Sequence, residues 1–225
     1  MSDDPAVFLV VPPPRELRRD YHRRLADIND KVVQLLALVG EGVAAATAAI
    51  LAGDGDAARV VVERDDLIDS LYRDVEHLVN QELALQAPVA ADLRFLLSVL
   101  RVAPELERSH DLVKHIAQRA VPGLAEDLTP RTRGLIDQMG YLGVQMWRLA
   151  ADAWYERDGG AYDRLNSRDD DMDSLHASLT AELASGRTSV PVAMDMTLVA
   201  RFYERLGDHA VNVAKRIRYL ASGQA

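Results

Sequence analysis

Arg64-Asp65-Asp66-Leu67-Ile68-Asp69-Ser70-Leu71 recurs 104 residues later as Arg168-Asp169-Asp170-Asp171-Met172-Asp173-Ser174-Leu175. Six of the eight positions are identical, and the same offset aligns Asp54 with Asp158 and Ala57 with Ala161. A second match pairs Glu107-Arg108-Ser109-His110-Asp111 with Glu204-Arg205-Leu206-Gly207-Asp208, then Ala117 and Arg119 with Ala214 and Arg216, at an offset of 97. Self-similarity on this scale marks an architecture built from repeated units. The offset shrinks by 7 between the two matches, which is about two helical turns. Taking about one turn from each arm of a helical hairpin shortens it and keeps its faces nearly in register. The repeat therefore predicts two antiparallel hairpins of unequal length.

The rest of the chain supports helices throughout. Helix formers dominate, and proline and glycine fall at intervals: Gly53 and Gly55, Pro88, Pro122-Gly123, Gly159-Gly160, Gly186 and Pro191. These breaks predict helices over about 15–52, 55–86, 89–121, 129–157, 160–185 and 191–221. Leu96, Leu97 and Leu100, and then Val199, Tyr203, Leu206, Ala210 and Val213, recur at helical spacing. The predicted fold is all-α: two tandem three-helix bundles, a six-helix pseudo-twofold repeat. Residues 1–14 read as an N-terminal tail, 15–122 as the first repeat and 123–225 as the second.

Composition narrows the function classes. The chain has 225 residues, no cysteine and a net charge of −9. The missing cysteine removes disulfides, thiolate zinc sites and cysteine nucleophiles, and fits a reducing, cytoplasmic setting. The acidic balance argues against nucleic acid as a partner. No apolar run, the alanine-rich Ala44 to Ala52 included, approaches the ~20 residues of a membrane span. There is no phosphate-binding glycine loop, nucleophile elbow or His-Glu-x-x-His motif. Met146, Trp147 and Trp154 read as core.

Chemistry concentrates in four carboxylate pairs of one spacing: Asp65 with Asp69, Glu107 with Asp111, Asp169 with Asp173, and Glu204 with Asp208. Residues four apart share a helix face, where like charges repel. The apolar stripe of the last helix centres roughly 150° from Glu204 and Asp208, at 100° per residue. On the second helix the angle from Asp65 and Asp69 is about 110°. The pairs thus belong on the outer surface or its edge. Within the first hairpin the pairs centre on 67 and 109, with their midpoint at the Pro88 turn; in the second, on 171 and 206, with the midpoint just before Pro191. Each hairpin therefore sets four carboxylates at one level. Such a quartet suits a bridging hard cation. The plainer reading has Arg64, Arg108, Arg168 and Arg205 neutralising the carboxylates in surface ion pairs. The twofold repetition at matched height favours metal. His110 completes a Glu-x-x-His spacing with Glu107, but the second copy has Gly207, so it reads as an exposed or capping residue. His176 is placed to extend the second quartet. His22, His77, His115 and His209 read as surface or helix-edge residues.

The stretch from Tyr203 to Ala214, Tyr-Glu-Arg-Leu-Gly-Asp-His-Ala-Val-Asn-Val-Ala, resembles the C-terminal signature of the PhoU family of phosphate-signalling regulators. Gln86-Ala87-Pro88-Val89-Ala90-Ala91-Asp92-Leu93-Arg94 resembles that family's first-hairpin turn. The resemblance covers the chain from about residue 15. It implies two three-helix repeats and metal clusters on Glu/Asp-x-x-x-Asp motifs, which map onto the eight carboxylates named. The ion would be magnesium, manganese, iron or zinc. It further implies a non-enzymatic, cytoplasmic negative regulator of phosphate uptake and starvation signalling. The expected partners are the ATPase of a phosphate ABC transporter, a sensor histidine kinase and a second copy in a homodimer, without direct membrane insertion. His110 stands where the signature has glycine and His115 where the second repeat has Asn212, which leaves open whether His110 joins the first site. Two other classes stand beside this one: a dimetal carboxylate enzyme, and a metal-free helical scaffold.

Overall fold

The computed structural model describes residues 14–121 and 124–223, with side chains from residue 18 onward. The tail up to residue 13 and the expected joint at Pro122-Gly123 lie outside the described residues. Among them there are eight helical elements and no strand: α1 (Pro14–Ala52), α2 (Gly55–Glu63), α3 (Asp65–Gln86), α4 (Ala90–Ala117), α5 (Leu124–Asp127), α6 (Pro130–Glu156), α7 (Ala161–Ala184) and α8 (Val190–Ser222).

The expected single helix over 55–86 is two. Asp54 caps α2 by accepting from the Asp56 and Ala57 amides at 3.0 and 2.9 Å. The run Val60-Val61-Val62 is β-branched and holds a helix weakly. The ladder then tightens, the Arg64 amide reaching Val61 O at 3.3 Å, before α3 starts at Asp65. The short α5 was not legible in the sequence. By contrast Pro104 sits inside α4 without ending it.

The first unit is α1, α2–α3 and α4; the second is α6, α7 and α8. They do not stand apart. α1 packs on α6 and α4 packs on α8 as well as on partners in their own units. One continuous apolar core results, running through Val39, Val43, Leu106, Trp147, Trp154, Leu206 and Val213. Met146, Trp147 and Trp154 are buried in it, as the sequence suggests. Where α1, α6 and α8 meet, Thr47 Oγ1 and the fully buried Tyr203 hydroxyl share a 2.6 Å hydrogen bond. Burial pushes that phenol well above its ordinary range. α6 approaches α1 closely because Gly140 lies over Thr47.

Averaged over an 18-residue window, α1 is apolar enough to cross a membrane by length and composition, with a mean hydropathy of 2.0. A search for apolar runs misses this. Half of that window is buried inside the protein, against α4 and α6. The hairpin tips are pinned by two buried glutamates. Glu82, 1% exposed, pairs with Arg24 of α1. Glu182 accepts from Thr129 Oγ1, the N-cap of α6, at 3.1 Å and pairs with Arg187.

Candidate functional site

Each hairpin sets its two carboxylate pairs along the edge between its helices. In the first unit Asp65 and Asp69 come from the start of α3, and Glu107 and Asp111 from the C-terminal half of α4. All four are half-buried. Burial lifts the Glu107 carboxyl above its ordinary range, and the charges of Asp111, Asp69 and Asp65 lift it further. In the second unit Asp169 and Asp173 of α7 face Glu204 and Asp208 of α8. Asp173 and Asp208 are exposed, and the Glu204 side chain is 15% exposed. Burial, then repulsion from Asp208, Asp173 and Glu204, lifts Asp169 to about 6. Glu204 is also raised: burial and Asp208 outweigh Arg201, whose guanidinium pairs with its Oε1. Its other oxygen, Oε2, is buried without a partner among the described residues.

The arginines do not neutralise the quartets in the way the plainer reading has it. Arg64 reaches Glu41 at 3.4 Å and Arg108 reaches Glu105 at 3.5 Å. Arg168 and Arg205 make no ion pair among the described residues. The group that does enter a quartet is one the sequence reading passed over. Lys114 Nζ lies 2.6 Å from Asp65 Oδ2 and 2.7 Å from Asp111 Oδ1, bridging α3 and α4. Burial disfavours its charge, but the hydrogen bonds and charges of Asp111 and Asp65 outweigh that and raise its pKa.

Two histidines are also placed differently from expectation. His110 is 1% exposed, neither surface nor cap, and neither ring nitrogen has a hydrogen bond; Nε2 lies 4.0 Å from Asp65 Oδ1. Burial lowers its pKa, so the ring is neutral at physiological pH. α1 passes close by at Gly42, where an added Cβ would run into Val113 Cγ1 at 2.9 Å and stand in ordinary contact, 3.8 Å, with His110 Nδ1. His209 is buried between α4 and α8, its Nδ1 3.0 Å from Ser109 Oγ. His176 is half-buried on α7, close enough to Glu204 for its charge to be felt. His22, His77 and His115 are exposed.

Chemically, each quartet supplies oxygen donors alone, the set preferred by hard cations. The second also supplies an orphaned buried oxygen and a close approach. A Cβ at Gly207 would stand 2.5 Å from Asp169 Oδ1, so only glycine lets α7 bring that carboxylate over the α8 backbone. No three His, Asp or Glu side chains among the described residues are gathered tightly enough to hold an ion as they stand. A cation would have to draw the carboxylates inward against their repulsion.

A pseudo-twofold repeat of two three-helix units, with one carboxylate quartet along the edge of each hairpin, is the class that fold and site define. Residues 32–120 and 136–217 each match the PhoU domain family, and the chain belongs to that family. It is 32% identical to the phosphate-specific transport system accessory protein PhoU homolog 2 of Mycobacterium tuberculosis, over 92% of this chain and 99% of that one. It is 30% identical to the PhoU homolog of Caulobacter vibrioides, over 92% and 91%. The crystal structure of PhoU from Pseudomonas aeruginosa superposes with a TM-score of 0.85 at 26% identity, over 91% of this chain and all of that one.

Proposed function

We propose that this chain is an accessory regulator of phosphate transport: a cytoplasmic, non-enzymatic adaptor that restrains phosphate uptake and starvation signalling, and whose carboxylate quartets bind metal. The observation that carries the reading is family membership across both repeats, beside full-length relatives named as accessory proteins of phosphate-specific transport. The partners it fits are the ATPase of a phosphate ABC transporter and a sensor histidine kinase. A second copy of the chain is a further partner, as a homodimer.

The residues that would hold metal are Asp65, Asp69, Glu107 and Asp111 in the first unit, and Asp169, Asp173, Glu204 and Asp208 in the second. A bound cation supplies positive charge between two helices. The protein's part is to hold the carboxylates at one level on opposite arms of a rigid hairpin. Relief of their repulsion then ties α3 to α4, or α7 to α8.

The test is deletion of the gene, with uptake of labelled phosphate and expression of a starvation reporter measured in phosphate-rich medium. Both should rise and return to normal when the chain is restored. Unchanged uptake and reporter in the deletion strain would refute the regulatory role.

A further inference from the structure

The two quartets match in residue type and differ in what sits among them. In the first, the Lys114 ammonium spans the hairpin, taking one carboxylate from each arm at 2.6 and 2.7 Å, with its side chain 19% exposed. A bridging metal would perform the same task. The offset of 97 that pairs Glu107 with Glu204 and Asp111 with Asp208 pairs Lys114 with Val211, which is 5% exposed and apolar. The only cation paired in the second quartet, among the described residues, is Arg201. It stays on α8, three residues from Glu204, and its side chain is 54% exposed. Among the described residues no lysine or arginine pairs across α7 and α8 there; the nearest basic group on α7 is His176, which faces Glu204 without an ion pair.

The position before each final aspartate differs too. In the second unit Gly207 lets Asp169 lie against the α8 backbone, and Glu204 Oε2 is left buried and unpaired. In the first unit the imidazole of His110 fills that place, and Asp65 meets the ring and the ammonium instead.

We propose that Lys114 is a built-in counter-ion that takes the place of metal in the first quartet, so that this chain loads metal into its second unit alone. The inference rests on the reading of the quartets as metal sites. Its physical basis is competition. A tethered ammonium acts at an effective concentration of millimolar order or more. It makes two charge-assisted hydrogen bonds in a half-buried setting. An incoming ion would have to break both and leave the ammonium beside a second positive charge. In the second quartet no ion pair among the described residues bridges the arms for an ion to displace. Removing Lys114 would also leave the unpaired His110 ring beside four carboxylates, a nitrogen-and-oxygen donor set suited to zinc or iron.

The experiment uses the full chain, stripped of metal on a chelating resin and then loaded with manganese or zinc. Bound metal is counted after gel filtration, and melting temperature is followed with and without the ion. Wild type should bind metal and melt higher with it. The pair Asp169→Asn with Asp208→Asn should bind none and melt at one temperature. Adding Lys114→Met to that pair should restore binding and the metal-dependent shift. Circular dichroism confirms that each variant folds, with Lys114→Gln as the substitute if the methionine variant does not. Metal retained by the Asp169→Asn, Asp208→Asn chain would overturn the proposal while leaving the quartets as metal sites. A folded triple variant that stays metal-free would overturn it likewise. A wild type that binds no metal would instead refute the quartet reading, and this inference with it.

Discussion

Replacing Gly140 with alanine tests the contact that makes two repeats one body. An added Cβ would run into Thr47 on α1, with the threonine's own Cβ 2.9 Å away and its two branch atoms nearer still. Rotation about χ1 cannot relieve a clash with Cβ, and a β-branched residue in a helix has little choice of rotamer in any case. The helices must part, or Thr47 must give up its 2.6 Å bond to Tyr203. Overpacking of this kind costs about 1–3 kcal/mol. Losing a buried hydrogen bond costs about 1 kcal/mol more. Alanine recovers about 1 kcal/mol of helix propensity over glycine. The net is a loss of about 1–3 kcal/mol, and one kcal/mol moves the midpoint of a chain this size by about 2–4 °C. Melting followed by circular dichroism should therefore fall by about 2–12 °C. Gly134→Ala supplies the internal control. Gly134 lies on the same helix, and nothing stands within 4 Å of its added Cβ. That variant should melt about 2–4 °C higher from propensity alone. If Gly140→Ala melts at or above wild type, α1 and α6 do not approach as described, and the shared core loses its tightest seam.

Arg24→Ala strands the Glu82 carboxylate, which is 1% exposed; breaking a buried pair should cost about 3 kcal/mol in urea unfolding, and a loss under 1 kcal/mol would show that the pair is idle. In metal-free protein, Asp169 is raised to about 6 from an unfolded value near 3.8. The folded state thus holds its proton longer, so this group's contribution to stability falls as pH rises from about 4 to 6. Asp169→Asn should gain stability relative to wild type across that window, and a gap that narrows with rising pH would contradict the assigned repulsion. Gly207→Ala should push Asp169 off the α8 backbone and weaken manganese binding in the second unit at least tenfold by titration calorimetry; unaltered affinity would show that the close approach is not needed.

The sequence carried the repeat, the hairpins and the level of the carboxylates because those features are the same in both copies. Comparison of copies is blind to what differs between them, and Lys114 stands opposite Val211. Helical periodicity has its own limit. It assumes one buried face, whereas α4 and α8 touch each other as well as partners in their own units. His209 lies on that extra buried face, against Ser109 of α4, while His110 is covered within its own unit by α1 and α3, so both read as surface residues until those helices are placed beside them. The bend at Arg64 escaped for a related reason, since no proline or glycine marks it and only a run of valines weakens the helix there.

The unequal hairpins give the molecule a polarity that its repeat conceals. α3 continues for 17 residues beyond Asp69 to Gln86, while α7 continues for 11 beyond Asp173 to Ala184. Six residues of helix are ~9 Å. The other arms differ by less: α4 begins 17 residues before Glu107 and α8 begins 14 before Glu204. No single rotation can therefore superpose both the tips and the quartets. The lever between charge cluster and tip is longer in one half, so a tilt of equal angle at the two quartets sweeps the first tip through a wider arc than the second.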